Sequence, residues 1–231
     1  MLSEVFPFDN IVVRHAVDMA LDKEAMVEIS VQGFGTPIWQ NMPSLPGNSP
    51  VGGGSFDPDG ARALLAEHGL EPAALGFDML VSRYVIPRRQ AEVAKANLLE
   101  IGIPSTITVV DPAAHFSLTL AGEYQASIGG YSATNLMSFF RNTLHSSSIG
   151  AGNLSRINSP ELDALIDKAI ETPDENERIA ILEQTSILAN EIRGASPITT
   201  NTILRVHNAN LILPEIGANG FMFLNMAYWV N

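Results

Sequence analysis

The chain has 231 residues, 46% of them apolar and 16% charged, which suits one folded domain with at most an appendage and excludes a disordered chain. Its 25 acidic against 13 basic residues give a formal net charge of −12, and this argues against DNA or RNA as a partner. With no cysteine, the chain can form neither disulfides nor thiolate metal sites and offers no cysteine nucleophile.

The first quarter of the chain is predicted to be helical at both ends and irregular in between. Residues 11–32 carry apolar residues at helical spacing, and Asp22 can cap a second start within them. Residues 33–56 contain glycine and proline too densely for regular structure, so we expect a long loop there. Asp57 followed by proline predicts a short helix over 58–68.

The next segment sets the predicted fold class. Residues 77–81 form an apolar run of strand length, Pro87 opens a helix that lasts until Gly102, and residues 105–110 are rich in β-branched side chains. A strand, a helix and a strand within so short a stretch form a βαβ unit, whose two strands run parallel. The sequence therefore predicts an α/β fold with a mixed, largely parallel sheet flanked by helices.

The second half continues the alternation. A helix is predicted near 113–121 and a strand near 124–129, and Ser159 followed by proline starts another helix. A further helix is predicted over 174–192, with residues 172–175 as a capping box before it and Gly194 at its end. Residues 198–206 have strand composition. The final stretch is apolar and aromatic and needs a surface to pack on, with aromatic side chains at Phe221, Phe223, Tyr228 and Trp229.

Motifs for catalysis or metal binding are weak. The five histidines are scattered without metal-ligand spacing, and neither a phosphate-binding glycine loop nor a serine elbow occurs, so we expect no metal ion and no cofactor. The block from His145 to Ser148 places hydroxyl groups beside an imidazole, and a polar loop is the preferred interpretation. Asp163 and Asp167 are expected on the polar face of an amphipathic helix, with structural roles.

Ligand residues are instead expected where two predicted strands end. In open α/β sheets ligands bind beyond the carboxyl ends of parallel strands. The tips of the strands at 77–81 and 124–129 carry aromatic, hydroxyl, amide and guanidinium groups, which suit a polar organic ligand. The predicted ligand-binding residues are Ser82, Arg83, Tyr84, Tyr131, Ser132, Thr134 and Asn135.

Four segments carry a family resemblance. They are residues 12–26 (V-V-R-H-A-V-D-M-A-L-D-K-E-A-M), 56–69 (F-D-P-D-G-A-R-A-L-L-A-E-H-G), 98–103 (L-L-E-I-G-I) and 158–166 (N-S-P-E-L-D-A-L-I). In this order they resemble segments of the peptide/nickel family of solute-binding proteins of bacterial ABC importers. The resemblance covers about the second half of such a protein.

The resemblance implies a fold and a function. Residues 1–205 would form the distal lobe of a two-lobe periplasmic-binding-protein-like fold, and residues 206–231 would be a return segment that packs into the first lobe. The protein would be periplasmic or extracellular, held at the membrane through an upstream anchor that this chain lacks, and would deliver a peptide or another small polar solute to the ABC permease subunits. The chain itself shows neither an export signal nor a membrane span.

One loop departs from the family pattern. Family members often read G-W-x-A-D-Y-x-D-P, with an acidic residue that receives a peptide's α-amino group in some of them, whereas residues 130–137 here read G-Y-S-A-T-N-L-M. The aromatic residue is retained and the acids are absent. Two alternatives remain beside solute binding: a serine-type hydrolase that uses His145 with the neighbouring serines, and a domain that only mediates protein contacts.

Overall fold

The computed structural model describes residues 1–41, 54–133, 135–202, 204–215 and 222–230. Two residues singled out above, Thr134 and Phe221, and part of the predicted loop over 33–56 lie outside these ranges. Eight α-helices occur within them: α1 (Ile11–Ala20), α2 (Lys23–Val31), α3 (Pro58–Glu67), α4 (Val85–Glu100), α5 (Pro112–Ala121), α6 (Leu136–Thr143), α7 (Pro160–Glu171) and α8 (Glu175–Ile192).

Seven of the eight helices described begin at a residue whose side chain caps them, and α4 is the exception. The carboxylate of Asp22 accepts the N–H of Ala25 at 2.9 Å, and that of Asp57 accepts the N–H of Gly60 at 2.8 Å. The hydroxyl of Ser159 accepts the N–H of Leu162 in the same way. Because the first N–H groups of a helix have no partner inside it, such caps fix the starts of these helices.

The strands form a parallel three-stranded sheet and two short antiparallel pairs. They are β1 (Gly35–Pro37), β2 (Phe77–Ser82), β3 (Ser105–Val110), β4 (Ala126–Ile128), β5 (Thr199–Asn201), β6 (Leu211–Ile212) and β7 (Tyr228–Trp229). The parallel sheet has the order β3-β2-β4, with Val81 opposite Val109 on one side and Ile128 on the other. The predicted βαβ unit and the α/β class are confirmed.

Two clusters of buried apolar side chains hold these elements together. The first joins α1, α3 and α4 to the sheet, with Val13 and Leu65 fully buried. The second joins α6, α7 and α8, with Phe140 and Leu162 fully buried. Each fully buried side chain of this size contributes roughly 1.5–3 kcal/mol to stability, so the packing of both clusters outweighs any single polar contact.

One predicted helix start and one predicted stop residue are wrong. Helix α4 begins at Val85, two residues before Pro87, because a proline in the first turn costs no hydrogen bond. Helix α8 ends at Ile192 as predicted, but the left-handed residue that follows it is Arg193, at φ 50°, and not Gly194. A Cβ at Gly194 would lie 2.1 Å from the Ile157 side chain, so this glycine is needed for close packing.

Other elements differ in extent. The strand predicted over 198–206 is reduced to β5, which pairs with β1 inside the predicted loop. Helix α6 was not predicted. The Thr172-to-Glu175 stretch does not act as a capping box for α8, because Asp174 is the N-cap and accepts the N–H of Glu177 at 2.9 Å. Thr172 instead donates its hydroxyl to the carbonyl of Lys168 at the end of α7.

A buried carboxylate ties distant parts of the chain together. Asp18 of α1 accepts a hydrogen bond from the ammonium of Lys23 at 2.8 Å and lies 3.3 Å from the guanidinium of Arg193. It also accepts the hydroxyl of Ser196. The Lys23 ammonium lies 4.0 Å from the ring centroid of Trp39. Burial lowers the pKa of Lys23, although the charge of Asp18 opposes this shift.

We expect the two ends of this ion pair to respond differently to substitution. Asp18→Asn removes the counter-charge that Lys23 and Arg193 share and should lower the free energy of unfolding by about 3–5 kcal/mol. Lys23→Met replaces a fully buried ammonium by an apolar side chain of similar length, while Asp18 keeps Arg193 and Ser196, so its loss should be less than half as large. Urea unfolding followed by circular dichroism measures both. Equal losses would contradict this account.

Candidate functional site

The predicted ligand residues that the structure describes lie at one edge of the sheet. Because β2 pairs in parallel with β4, the segment after Ser82 and the segment after Ile128 leave the sheet at the same end. Ser82 is buried, whereas Tyr84 is 63% exposed and Tyr131 is 46% exposed. We call residues 82–84, at the end of β2, together with residues 129–133 and 135, after β4, the strand-tip edge; Thr134 lies outside the described residues.

Two oppositely charged residues, Arg83 and Asp111, lie at the neighbouring ends of β2 and β3. The backbone N–H of Arg83 donates to the carbonyl of Val110 at 2.8 Å, which places its exposed side chain beside the end of β3. Asp111, the N-cap of α5, accepts the N–H groups of Ala114 and Ala113. These hydrogen bonds and the charge of Arg83 hold the pKa of the Asp111 carboxyl below its usual value.

Sequence reasoning missed Asp111 as a neighbour of Arg83. The signal was available, because an aspartate before a proline that directly follows a strand is a typical helix N-cap. What the sequence did not provide was the parallel register that sets Asp111 beside the strand end of Arg83.

Asn135 serves a helix. Its side-chain oxygen accepts the N–H of Ser138 at 2.8 Å and the hydroxyl of Ser138 at 2.9 Å, so this predicted ligand residue is the N-cap of α6. Ser132 is exposed. The ring of Tyr131 contacts Phe139 of α6 edge to face, with 5.6 Å between the centroids and 72° between the planes.

His115 connects α5 to the sheet near the same edge. Its Nε2 lies 2.9 Å from the hydroxyl of Ser127 in β4, and the ring is half-buried. Burial lowers the pKa of His115, because desolvation disfavours the charged imidazolium.

The histidine–serine block forms a compact cluster with α7. The hydroxyl of Ser147 lies 2.9 Å from Nδ1 of His145, and Nε2 of His145 lies 3.2 Å from a carboxylate oxygen of Asp167. Asp163 accepts the backbone N–H of Ser146 at 2.9 Å, and its hydroxyl as well. Asp167 therefore contacts the His145 ring, and Asp163 contacts the turn that follows it. Both aspartates have the structural roles that the sequence predicted, although neither is merely a charge on a solvated helix face.

The contacts in this cluster are those of a capped turn. Nδ1 of His145 accepts the backbone N–H of Ser147 at 3.1 Å, which caps the 3-10 turn at 146–148 and leaves the proton of a neutral ring on Nε2. The single lone pair of Nδ1 therefore serves an amide as well as the hydroxyl. The guanidinium of Arg141 donates to the Ser147 hydroxyl at 2.5 Å.

Two cavities among the described residues are not lined by residues of the strand-tip edge. A groove of about 470 Å³ lies between α7 and α8, and a depression of about 330 Å³ lies beside Trp39 and Phe56. No group of three or more His, Asp or Glu suited to a metal ion lies in the part of the chain described. Within the same ranges, no helix combines the length and the apolar composition needed to cross a bilayer.

Comparison with known proteins identifies the family. Residues 3–151 match the model of the bacterial extracellular solute-binding proteins, family 5, middle region. The chain belongs to this family. It is 32% identical over 197 residues to "Heme-binding protein A" of Haemophilus influenzae, and 29% identical over 210 residues to "Dipeptide-binding protein" of Escherichia coli.

The family members are much longer than this chain. The two alignments cover 81% and 85% of the chain but only 36% and 38% of the relatives. The periplasmic binding protein DppA of Helicobacter pylori, solved with the peptide STSA, superposes on 99% of the chain with a TM-score of 0.88 at 20% identity, over 46% of its own length. The structure is thus an α/β fold that matches part of a periplasmic-binding-protein fold.

The lowered pKa of His115 predicts a pH dependence of stability. The unfolded chain takes up this proton near pH 6.5 and the folded chain only at lower pH, so the free energy of unfolding should fall as the pH drops from about 6.5 through the folded-state pKa. His115→Gln should flatten this part of the pH profile, measured by urea unfolding between pH 7.5 and 5.

Ser127→Ala is the matched control, because it removes the hydrogen bond but leaves the imidazole buried. It should lower stability at every pH and keep the slope. A slope that persists in His115→Gln would show that another group causes it.

Proposed function

We propose that this chain is the ligand-binding part of an extracytoplasmic receptor of an ABC importer and that the strand-tip edge holds the solute. The observation that carries the proposal is the placement of the exposed Arg83, Tyr84 and Tyr131 at one end of a parallel sheet, in a chain of the solute-binding family. Binding beyond the carboxyl ends of parallel strands is the general rule for such sheets. Ser82, Ser132, Thr134 and Asn135 complete the proposed site.

The solute is a small peptide or a similar small polar molecule. The relatives are named for dipeptides, heme and glutathione, so the family name does not identify one solute. A guanidinium, two phenol groups and hydroxyls provide hydrogen bonds and aromatic contact surface, which suit such a molecule. In the full-length receptor, the ABC permease subunits would receive the solute; nucleic acid is not a partner.

The chain would divide into a distal lobe, residues 1–205, and a return segment, residues 206–231, that packs into the other lobe of the receptor. Exposed aromatic side chains support this division: Phe223 is 72% exposed and Trp229 67%, and β6 pairs only with β7 among the strands described. Apolar surface of this kind usually marks a surface that another element covers. The receptor would be periplasmic or extracellular, held by an anchor upstream of this chain.

The chain would have no enzymatic activity, although one observation favours a serine-type hydrolase as the second candidate. The Ser147 hydroxyl, the His145 ring and the Asp167 carboxylate follow one another at 2.9 Å and 3.2 Å, which is the spacing of a nucleophile, a base and an orienting acid. The amide on Nδ1 competes with that role.

We expect Ser147 to be unreactive. A fluorophosphonate probe should label the protein no more than it labels Ser147→Ala, and p-nitrophenyl acetate hydrolysis should be equal in both. Ser148→Ala, on the same turn but bonded to the carbonyl of Arg141, is the matched control. Stoichiometric labelling that Ser147→Ala alone abolishes would establish the hydrolase.

Binding to the strand-tip edge should be weak but site-specific. Because the edge is open to solvent, its polar contacts form in a high dielectric, so calorimetric titration with a mixed di- to pentapeptide library should show no binding tighter than about 100 μM. Saturation-transfer NMR detects contacts of this strength. Tyr131→Ala and Arg83→Ala should reduce the peptide signal severalfold.

Tyr228→Ala is the control, because Tyr228 is similarly exposed on the β6–β7 pair. An equal loss of the peptide signal in Tyr228→Ala would mean that peptides contact exposed tyrosines non-specifically, and not at the strand-tip edge. Low-micromolar binding would show that this chain holds a complete site.

A further inference from the structure

We propose that α6 is the positioning element of the strand-tip edge and that Phe139 sets the orientation of the Tyr131 ring for solute binding. The inference rests on the proposed function, in which Tyr131 contacts the solute, and it adds a residue outside the predicted site. It follows from three observations: two glycines precede Tyr131, the Tyr131 ring contacts Phe139, and α6 packs on the core.

The chain on the strand side of Tyr131 provides no side-chain support. Gly129 and Gly130 separate it from β4, and a Cβ built on either glycine would meet no atom within 4 Å. Glycine is also the residue with the greatest backbone freedom. These two glycines therefore leave the Tyr131 ring to be positioned by contacts other than their own.

Those contacts come from α6. Phe139 meets the Tyr131 ring edge to face and is itself 9% exposed, whereas Tyr131 is 46% exposed. One part of the tyrosine is thus held by a buried ring while the rest faces solvent. Asn135 fixes the end of the same loop, because its side-chain oxygen is used by the N–H and the hydroxyl of Ser138.

Helix α6 is anchored on the core at both ends. Leu136 and Phe140 are 2% and 0% exposed within the second core cluster. Beyond the last turn, the fully buried side-chain amide of Asn153 donates to the carbonyls of Leu144 and His145 at 3.1 and 3.2 Å. His145 in turn lies against α7. A helix held in this way can serve as a fixed platform for Tyr131.

A fixed ring lowers the cost of binding, because the solute does not have to order it. An edge-to-face aromatic pair stabilises the contact geometry by an amount that corresponds to a two- to tenfold change in an equilibrium constant. Loss of the Phe139 ring should therefore weaken peptide binding by about two- to tenfold without removing any group that touches the solute.

The test compares Phe139→Leu with Phe140→Leu, its neighbour in the same core cluster. Both should lower the melting temperature. In NMR spectra of protein with ¹³C-labelled tyrosine, the Tyr131 ring protons should move toward their random-coil positions in Phe139→Leu and stay in place in Phe140→Leu. Saturation transfer to the di- to pentapeptide library should fall two- to tenfold in Phe139→Leu alone. Phe139→Tyr keeps an aromatic ring, so it should leave the Tyr131 resonances and the saturation transfer as they are in the native protein.

Asn135→Ala and Asn135→Ser test the other contact. Serine keeps a capping oxygen, so only the alanine variant should shift the Tyr131 resonances.

The outcomes separate the two proposals. If Tyr131→Ala leaves peptide binding unchanged, the proposed site is wrong, whatever Phe139 does to the ring. If Tyr131→Ala weakens binding but Phe139→Leu changes neither the Tyr131 resonances nor the affinity, the positioning role is wrong. Equal affinity losses in Phe139→Leu and Phe140→Leu would also overturn it, since a general loss of packing would then be the cause.

Discussion

The parallel pairing of β2 with both of its neighbours is the constraint on which the rest of the structure depends. It buries β2 between β3 and β4, and it sends the three carboxyl ends to one edge. A parallel pair needs a crossover, and α4 provides it while covering one face of the sheet. The strand-tip edge exists because of this pairing: with antiparallel strands, Arg83 and Tyr131 would lie at opposite ends.

Three buried charged side chains meet at Asp18, and none of them belongs to the strand-tip edge. The negative charge of Asp18 offsets part of the positive charge of Lys23 and Arg193. The contacts of this cluster join α1, α2, the Trp39 segment and the end of α8. Desolvation makes such a cluster costly unless every charge has partners. It therefore links elements far apart in the sequence without adding charge to the proposed solute surface.

The cluster around His145 shows how closely a structural arrangement can approach catalytic spacing. A serine, a histidine and an aspartate come within hydrogen-bonding distance because the imidazole caps a turn and α7 lies against it. Distances alone do not define a nucleophile, since the lone pair that would accept the serine proton already accepts an amide. The same turn contributes to holding α6, and through α6 it bears on Tyr131.

The sequence by itself determined the elements whose signals are local. Caps at Asp22, Asp57 and Ser159 and the βαβ pattern predicted the helices, the parallel strands and the α/β class, because a cap depends only on residues three or four apart. Only the tertiary structure decided which residue follows α8 in the left-handed conformation: Arg193 adopts it where its side chain meets Asp18, 175 residues earlier in the chain. Likewise, Asn135 was predicted as a ligand residue from its place after a predicted strand, and only the fold of α6 shows that its side chain is a helix cap.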